Sequence, residues 1–365
     1  MHKFICTRCG KLTDATTKAP TCECGGLFEL DFTPPAWDPK KIDRNEWSLF
    51  RYREFLALDG DAWKDVTLGE GMSPTVEIEP GMFVKVDFMM PTLSFKDRGA
   101  ATLVAHMKAI GVKECVQDSS GNAGNSVAAY CARAGIKCEI YVPEGTSPKK
   151  ITMIEAHGAT AHVIPGNRDH CADVCRERVK TEGIYYANHV VNPYFYEGTK
   201  CYLYEVMEQL GRIPEHIVVP VGNGTLFIGV MKALEHLAAS GALSHFPKVI
   251  ALQSELCNPL YQAIEQGLDE AAPVQPQPTI AEGIAIGKPL RAHELLDFMR
   301  RHNVTLIQAP EDKILAARAR MAKKGLYIEH TTAANFAAWD HYQELFGPAT
   351  DVLITLCGAG IKSDH

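Results

Sequence analysis

The chain has 365 residues, 46% of them hydrophobic and 22% charged, which suits one large two-lobed enzyme or two to three ordinary domains and excludes a mini-protein or a disordered tail. Lys and Arg number 37 against 44 Asp and Glu, a net charge of -7 with no long basic run, so a nucleic-acid partner is not expected. No stretch approaches the ~20 uninterrupted apolar residues of a spanning helix, and the opening residues lack a signal-peptide apolar region, so the expectation is a cytoplasmic protein with no membrane partner.

Residues 1–32 stand apart. Cys6-Thr-Arg-Cys9 is followed by Cys22-Glu-Cys24-Gly25-Gly26, two thiol pairs in a zinc-ribbon-like pattern. The second pair is Cys-x-Cys where Cys-x-x-Cys is commoner, which strains simultaneous ligation. Two readings follow: a structural zinc on Cys6, Cys9, Cys22 and Cys24, or the same four as reduced thiols. Four protein ligands leave no open position, so the module is structural in either case. The other eight cysteines lie in apolar or helical contexts and read as thiols.

Pro34-Pro35 and Trp37-Asp38-Pro39 mark a linker, after which short apolar runs alternate with helical patterns. Strands are predicted at Met82 to Phe88, Glu114 to Asp118, Lys137 to Val142, Thr160 to Ile164, His216 to Val221, Val249 to Gln253, Val304 to Gln308 and Asp351 to Cys357. Glycines at 111, 135, 158 and 211 stop the helices between them. This alternation predicts an α/β fold with mostly parallel sheets covered by helices. Residues 271–278, rich in proline, read as an exposed loop.

Four constellations carry chemistry-bearing side chains. In Pro91-Thr-Leu-Ser94-Phe-Lys96-Asp97-Arg98-Gly99, Ser94 and Asp97 form a capping-box-like helix start. That reading leaves Lys96 unexplained, because a cation in the first turn opposes the helix dipole and helps keep an amine neutral, as imine formation with an aldehyde cofactor requires. Ser119-Ser120-Gly121-Asn122-Ala123-Gly124-Asn125-Ser126 is either a plain glycine-rich turn or a loop whose N–H groups converge on an anion. Val221-Gly222-Asn223-Gly224-Thr225 runs from strand into helix and suits a phosphate. The third glycine of a dinucleotide fingerprint is replaced by Phe227, which disfavours a nicotinamide enzyme even with Glu255 in place of a ribose-binding acid. Finally, Cys357-Gly358-Ala359-Gly360 ends the last strand, where open α/β sheets bind ligands, although a lone buried thiol is commonly packing.

Taken together, Ser94-Phe-Lys96-Asp-Arg-Gly99, Ser119-Ser-Gly-Asn122, Gly222-Asn-Gly-Thr225, Glu329-His-Thr-Thr-Ala333 and Cys357-Gly-Ala-Gly-Ile-Lys362 resemble the fold-type II pyridoxal-phosphate enzymes in order and spacing. The chain is most similar to the threonine synthase branch. The resemblance implies a two-domain, tryptophan synthase β-like fold preceded by the cysteine module (1–32). In it a large cofactor-binding domain (33–99 and 196–365) is closed by a smaller mobile one (100–195), excluding water from a reactive intermediate.

The resemblance also implies that Lys96 forms the imine with the cofactor, and that Asn122 bonds its phenolic oxygen. Gly222, Asn223, Gly224 and Thr225 would hold its phosphate, Cys357 would face the pyridine nitrogen, and Ser120, Gly121 and Ala123 would bind the substrate carboxylate. A neutral thiol does not hold that nitrogen protonated as a carboxylate would, which suits elimination and replacement more than transamination. Leu93, the Glu-His-Thr-Thr-Ala sequence, and a dehydratase-like Glu144-Gly-Thr-Ser-Pro-Lys-Lys150 depart from the threonine synthase pattern. The expected reaction is O-phosphohomoserine plus water giving threonine and phosphate; its rivals are β-elimination or β-replacement on serine-like amino acids and a non-catalytic zinc-ribbon protein. Lys149, Lys150 and Arg98 are the cations available to a second phosphate. His330, and Cys171 with Cys175, read more readily as structural. The expected partners are a small amino-acid substrate and a second copy of the chain.

Overall fold

The computed structural model describes residues 2–363. Its N-terminal strands, β1 (Lys3–Cys6), β2 (Leu12–Asp14) and β3 (Phe28–Asp31), pair antiparallel in the order β2-β1-β3. Three strands this short cannot enclose a core. Phe4 and Phe28, stacked 5.1 Å apart, are instead buried together with Ala57 and Tyr194 from later in the chain.

β4 (Thr75–Glu79) and β5 (Met82–Lys85) follow as an antiparallel hairpin turned at Pro80-Gly81. From there strand and helix alternate: α1 (Lys96–Ala109), β6 (Glu114–Gln117), α2 (Asn122–Ala134), β7 (Lys137–Pro143), α3 (Pro148–Ala156), β8 (Thr160–Ile164), α4 (Arg168–Glu182) and the two-residue β9 (Tyr185–Tyr186). α5 (Tyr194–Leu210) precedes a second series, β10 (His216–Pro220), α6 (Thr225–Ala239), β11 (Lys248–Ser254), α7 (Pro259–Glu265), α8 (Ala292–Arg301), β12 (Thr305–Ala309), α9 (Glu311–Lys323), α10 (His330–Phe346) and β13 (Val352–Thr355).

Packing divides the chain into two compact units, one made of the residues up to Gly71 with Lys96–Cys201, the other of Met72–Phe95 with Tyr202 onward. In the first, parallel strands are ordered β8-β7-β6-β9. In the second the order is β12-β11-β10-β13-β5-β4, parallel except for β4. Every strand read from hydrophobic periodicity is present. The largest difference in extent is at Phe88, where β5 stops at Lys85 and Asp87–Met89 form a 3-10 turn. β4, β9 and the helix stop at Gly135 show the limits and strengths of that reading. β4 alternates Val76-Glu77-Ile78-Glu79 yet lies outside the strands named from the sequence, and β9, two residues long, is too short to carry a period, whereas Gly135 sits at φ 68°, donating its N–H to the last carbonyls of α2 as a left-handed cap does.

One buried acid in the first unit makes stability depend on pH. The Glu70 carboxylate, fully buried, accepts from Leu68 N–H (2.8 Å), Thr67 Oγ1 (3.1 Å) and Tyr130 Oη of α2 (3.1 Å). Burial outweighs these bonds and pushes the carboxyl up from 4.5 to about 7. A folded-state value above the unfolded one means the protonated form favours folding. That contribution is complete below about pH 4 and is lost as pH rises through about 7. Glu70→Gln keeps the shape and the hydrogen bonds without the charge. It is expected to raise the melting temperature by several degrees at about pH 8 and by less at about pH 5. Equal shifts in melts at the two pH values would contradict this account.

Candidate active site

In the first unit α1 begins at Lys96 itself, so this lysine occupies the positive end of a 14-residue helix. It is half-buried, with Nζ 5.7 Å from the centroid of the Phe195 ring. The capping box read from the sequence does not form. Ser94 Oγ is buried with no hydrogen-bond partner among the described residues, and Asp97 accepts from Ser126 Oγ of α2 at 2.5 Å. That bond ties the first turn of α1 to the first turns of α2.

Two glycines bring α5 against the same end of α1. A Cβ on Gly99 would lie 2.3 Å from the Phe195 ring, and one on Gly198 would lie 1.8 Å from the Arg98 carbonyl oxygen. No side chain fits either position, so the helices cross at backbone contact, with Thr102 Oγ1 donating to the Tyr194 carbonyl at 2.8 Å. Arg98 is fully buried here, while Lys149 is exposed and Lys150 half-buried at the start of α3, behind the Ser147 cap.

Asn122 opens the 13-residue α2, with Gly121 at the cap position and no side chain capping the free N–H groups. Ser120 and Gly121 are partly exposed and Ala123 is buried. The start of α2 thus presents backbone donors to an anion such as a carboxylate.

The second unit has a matching feature. Gly224 caps the 15-residue α6 at φ 76°, again without a side-chain cap, and Thr225 is its first residue. A Cβ on Gly224 would come within 2.2 Å of Leu295 Cδ2, and one on Gly222 within 2.9 Å of the Gly283 carbonyl oxygen. The 222–225 turn is therefore bare backbone at a helix N-terminus, with only Asn223 partly exposed. Glu255 accepts from Glu311 N–H at 2.7 Å, at the start of α9, which gives the would-be ribose acid a structural task.

The Glu329-His-Thr-Thr-Ala sequence opens α10 and knits two loops: Thr331 Oγ1 accepts from Gly283 N–H (3.0 Å) and Thr332 Oγ1 from Gly358 N–H (3.2 Å). His330 Nε2 lies 3.3 Å from Arg318 Nη1. Cys357 is buried, 3.7 Å from Asn335 Nδ2, which also donates to the Thr355 carbonyl at 2.8 Å.

The four N-terminal thiols converge despite the short second spacing, all Sγ atoms lying within 4.8 Å of one another, with Cys6–Cys24 at 3.5 Å and Cys9–Cys22 at 3.8 Å. A Cβ on Gly26 would lie 2.5 Å from Cys6 Sγ, so the turn after the second pair needs glycine. A second group, Cys115, Cys131 and Cys138, is entirely buried between β6, α2 and β7. Cys171 and Cys175 line the buried face of α4 with Val116, Tyr141 and Tyr186, the structural role read for them.

Sequence patterns missed His189, Asn335 and the Asp97–Ser126 pair. Only the run Asn188-His189-Val-Val-Asn192-Pro193 hinted at the first, as a polar segment directly before a helix.

These residues fit pyridoxal phosphate. An amine stands at a helix N-terminus, a side-chain-free turn opens α6, and buried polar atoms, Ser94 Oγ, His189 Nδ1 and Asn335 Oδ1, lack partners among the described residues. Residues 66–358 match the family described as pyridoxal-phosphate dependent enzyme. The chain is 31% identical over 347 residues to a threonine synthase of Methanocaldococcus jannaschii, covering 91% of this chain and 85% of that protein. It is 30% identical over 351 residues to a threonine synthase of Methanosarcina acetivorans, covering 92% and 86%. Among solved structures, threonine deaminase isoform 2 from Solanum lycopersicum superposes with a TM-score of 0.70 at 20% identity, covering 90% of this chain and 93% of that one, a likeness of fold. No helix among the described residues is long and apolar enough to cross a membrane. With a family match spanning most of its length and relatives above 30% identity, this chain belongs to the pyridoxal-phosphate-dependent enzymes of fold type II.

Proposed function

We propose that the protein converts O-phosphohomoserine and water to threonine and phosphate. The observation that carries this reading is the 31% identity to a threonine synthase across 91% of the chain. When bound, pyridoxal phosphate supplies an aldehyde that captures the substrate amine and a ring that withdraws electrons from it. Lys96 is the attachment amine and, once displaced, carries protons to and from the substrate carbons. Asn122 would bond the cofactor's phenolic oxygen, and Ser120, Gly121 and Ala123 would take the substrate carboxylate at the start of α2. Gly222, Asn223, Gly224 and Thr225 would hold the cofactor phosphate, and Cys357, beside Asn335, would lie on the side of the ring nitrogen. Release of inorganic phosphate from O-phosphohomoserine, assayed beside 2-oxo acid formation from serine and threonine, tests the reading. Turnover of the unphosphorylated amino acids alone would make this an ammonia-lyase.

We further propose one structural zinc on Cys6, Cys9, Cys22 and Cys24. Tetrahedral ligation with Zn–S near 2.3 Å puts sulfurs about 3.8 Å apart, close to the separations of 3.5 and 3.8 Å between the thiol pairs. Metal analysis is expected to find one zinc per chain, lost in the Cys9→Ser, Cys24→Ser double variant. Because Phe4 and Phe28 share a core with Tyr194, that variant should also melt several degrees lower. Zinc retained at full stoichiometry by the double variant would place it elsewhere.

A further inference from the structure

Away from the residues that fit the cofactor, the first unit holds a second set of convergent sulfurs. β6 and β7 pair in parallel with Cys115 opposite Cys138, so these two thiols stand side by side on one face of the sheet. Cys131 of α2 meets them there, its Sγ 3.6 Å from Cys115 Sγ, and all three Sγ atoms lie within 4.8 Å of one another. Backbone contact fixes the helix in place. A Cβ on Gly124 would lie 1.8 Å from the Ser119 carbonyl oxygen and 3.3 Å from Ile140 Cγ2 of β7. Cys131 follows Gly124 on the same face of α2, two helical turns along.

The three residues are at most 4% exposed. They make a soft donor set that ends at three: among the described residues no histidine, carboxylate or further thiol joins the group. Zinc closes a structural site with four ligands, and an interior this enclosed supplies no water for the fourth position. Calcium and magnesium call for oxygen donors. Copper(I), a soft monovalent ion, takes thiol sulfur and is satisfied by three ligands in a plane. With metal–sulfur bonds of ~2.3 Å it holds its sulfurs about 4 Å apart, a spacing the cluster meets with small side-chain movements. Charge favours the same ion. On binding, one thiol S–H bond breaks, its proton leaves for solvent and a copper–sulfur bond forms, so the dry site stays neutral and no oxidation state changes.

We propose that Cys115, Cys131 and Cys138 form a trigonal copper(I) site that clasps β6, α2 and β7 together. The sulfurs are reached only when α2 lifts from the strands, so the ion loads and leaves slowly. The three thiols converge only in the folded unit, so a bound ion raises the melting temperature.

The site is independent of the threonine-forming reading, and its test does not use turnover. Zinc-loaded full-length protein is treated anaerobically with copper(I) and then challenged with a chromophoric copper(I) chelator. The wild type is expected to retain one more copper per chain than Cys131→Ala or Cys138→Ala, whatever the N-terminal thiols hold in all three, and to melt several degrees higher with copper than without it. Losing one of three ligands should weaken retention at this site at least about a hundredfold, more than the loss of an outer partner of a ligand does. Anomalous scattering at the copper edge from loaded wild-type crystals should place the ion among the three sulfurs, a readout that does not depend on how the variants fold. Equal copper in the wild type and both variants overturns the proposal, as does scattering confined to Cys6, Cys9, Cys22 and Cys24; either result leaves the three thiols as packing.

Discussion

Lys96→Ala is expected to lower turnover by at least about ten-thousandfold and to abolish the visible absorbance band of the protein, because one side chain supplies both covalent attachment and proton transfer. The other enclosed lysines have different commitments. Lys85 pairs with Glu205 at 2.7 Å, Lys200 with Glu197 at 2.9 Å, and Lys362 Nζ donates to the Thr92 carbonyl at 2.6 Å. Lys96 differs from them in standing on the first residue of a helix, where the dipole disfavours its charged form. Borohydride reduction followed by peptide mapping should find the adduct on Lys96 in the wild type and nowhere in the variant. A reduced adduct on another lysine of Lys96→Ala, with turnover retained, would overturn the assignment.

Glu205→Ala is expected to destabilise the protein by ~3–5 kcal/mol, since it takes a paired carboxylate away from a fully enclosed lysine. The Lys85–Glu205 pair has no solvent exposure on either side chain. Lys85 Nζ also donates to the Ser73 carbonyl and lies 3.3 Å from Gln209 Oε1, so the ammonium keeps these neutral acceptors but loses the Glu205 carboxylate. The double replacement Lys85→Met, Glu205→Leu removes both charges together and should recover most of the loss. Urea denaturation of the three forms decides this. A double variant no more stable than Glu205→Ala would mean that the polar network is needed for more than charge balance.

The parts of the candidate site could be located before any coordinates because each is local. Lys96, the 119–126 loop, the 222–225 turn and the Cys357 strand end each depend on residues within a few positions of one another, at junctions of strand and helix that apolar periodicity marks. The same logic misled at Ser94 and Asp97. A spacing that makes a capping box was present, but Ser126, 29 residues beyond Asp97, competes successfully for the carboxylate. Local spacing states which bonds are available, and packing chooses among them.

The sequence by itself determined the βα alternation, the lysine placed at a helix start, the bare glycine turns and the two N-terminal thiol pairs, because these follow from side-chain periodicity and from which residues a turn tolerates. Only the tertiary structure decided what lies across from them. His189 Nδ1 has no partner among the described residues and its ring packs on Phe195, the ring that Lys96 also approaches, Asn335 meets Cys357 from 22 residues away, and Glu205 meets Lys85. The cysteine module likewise shares its core with Tyr194. Such pairings are set by how helices and strands pack at close range, and a one-dimensional pattern carries no record of which residues, distant along the chain, will meet in the dry interior where an unmatched polar group is costly.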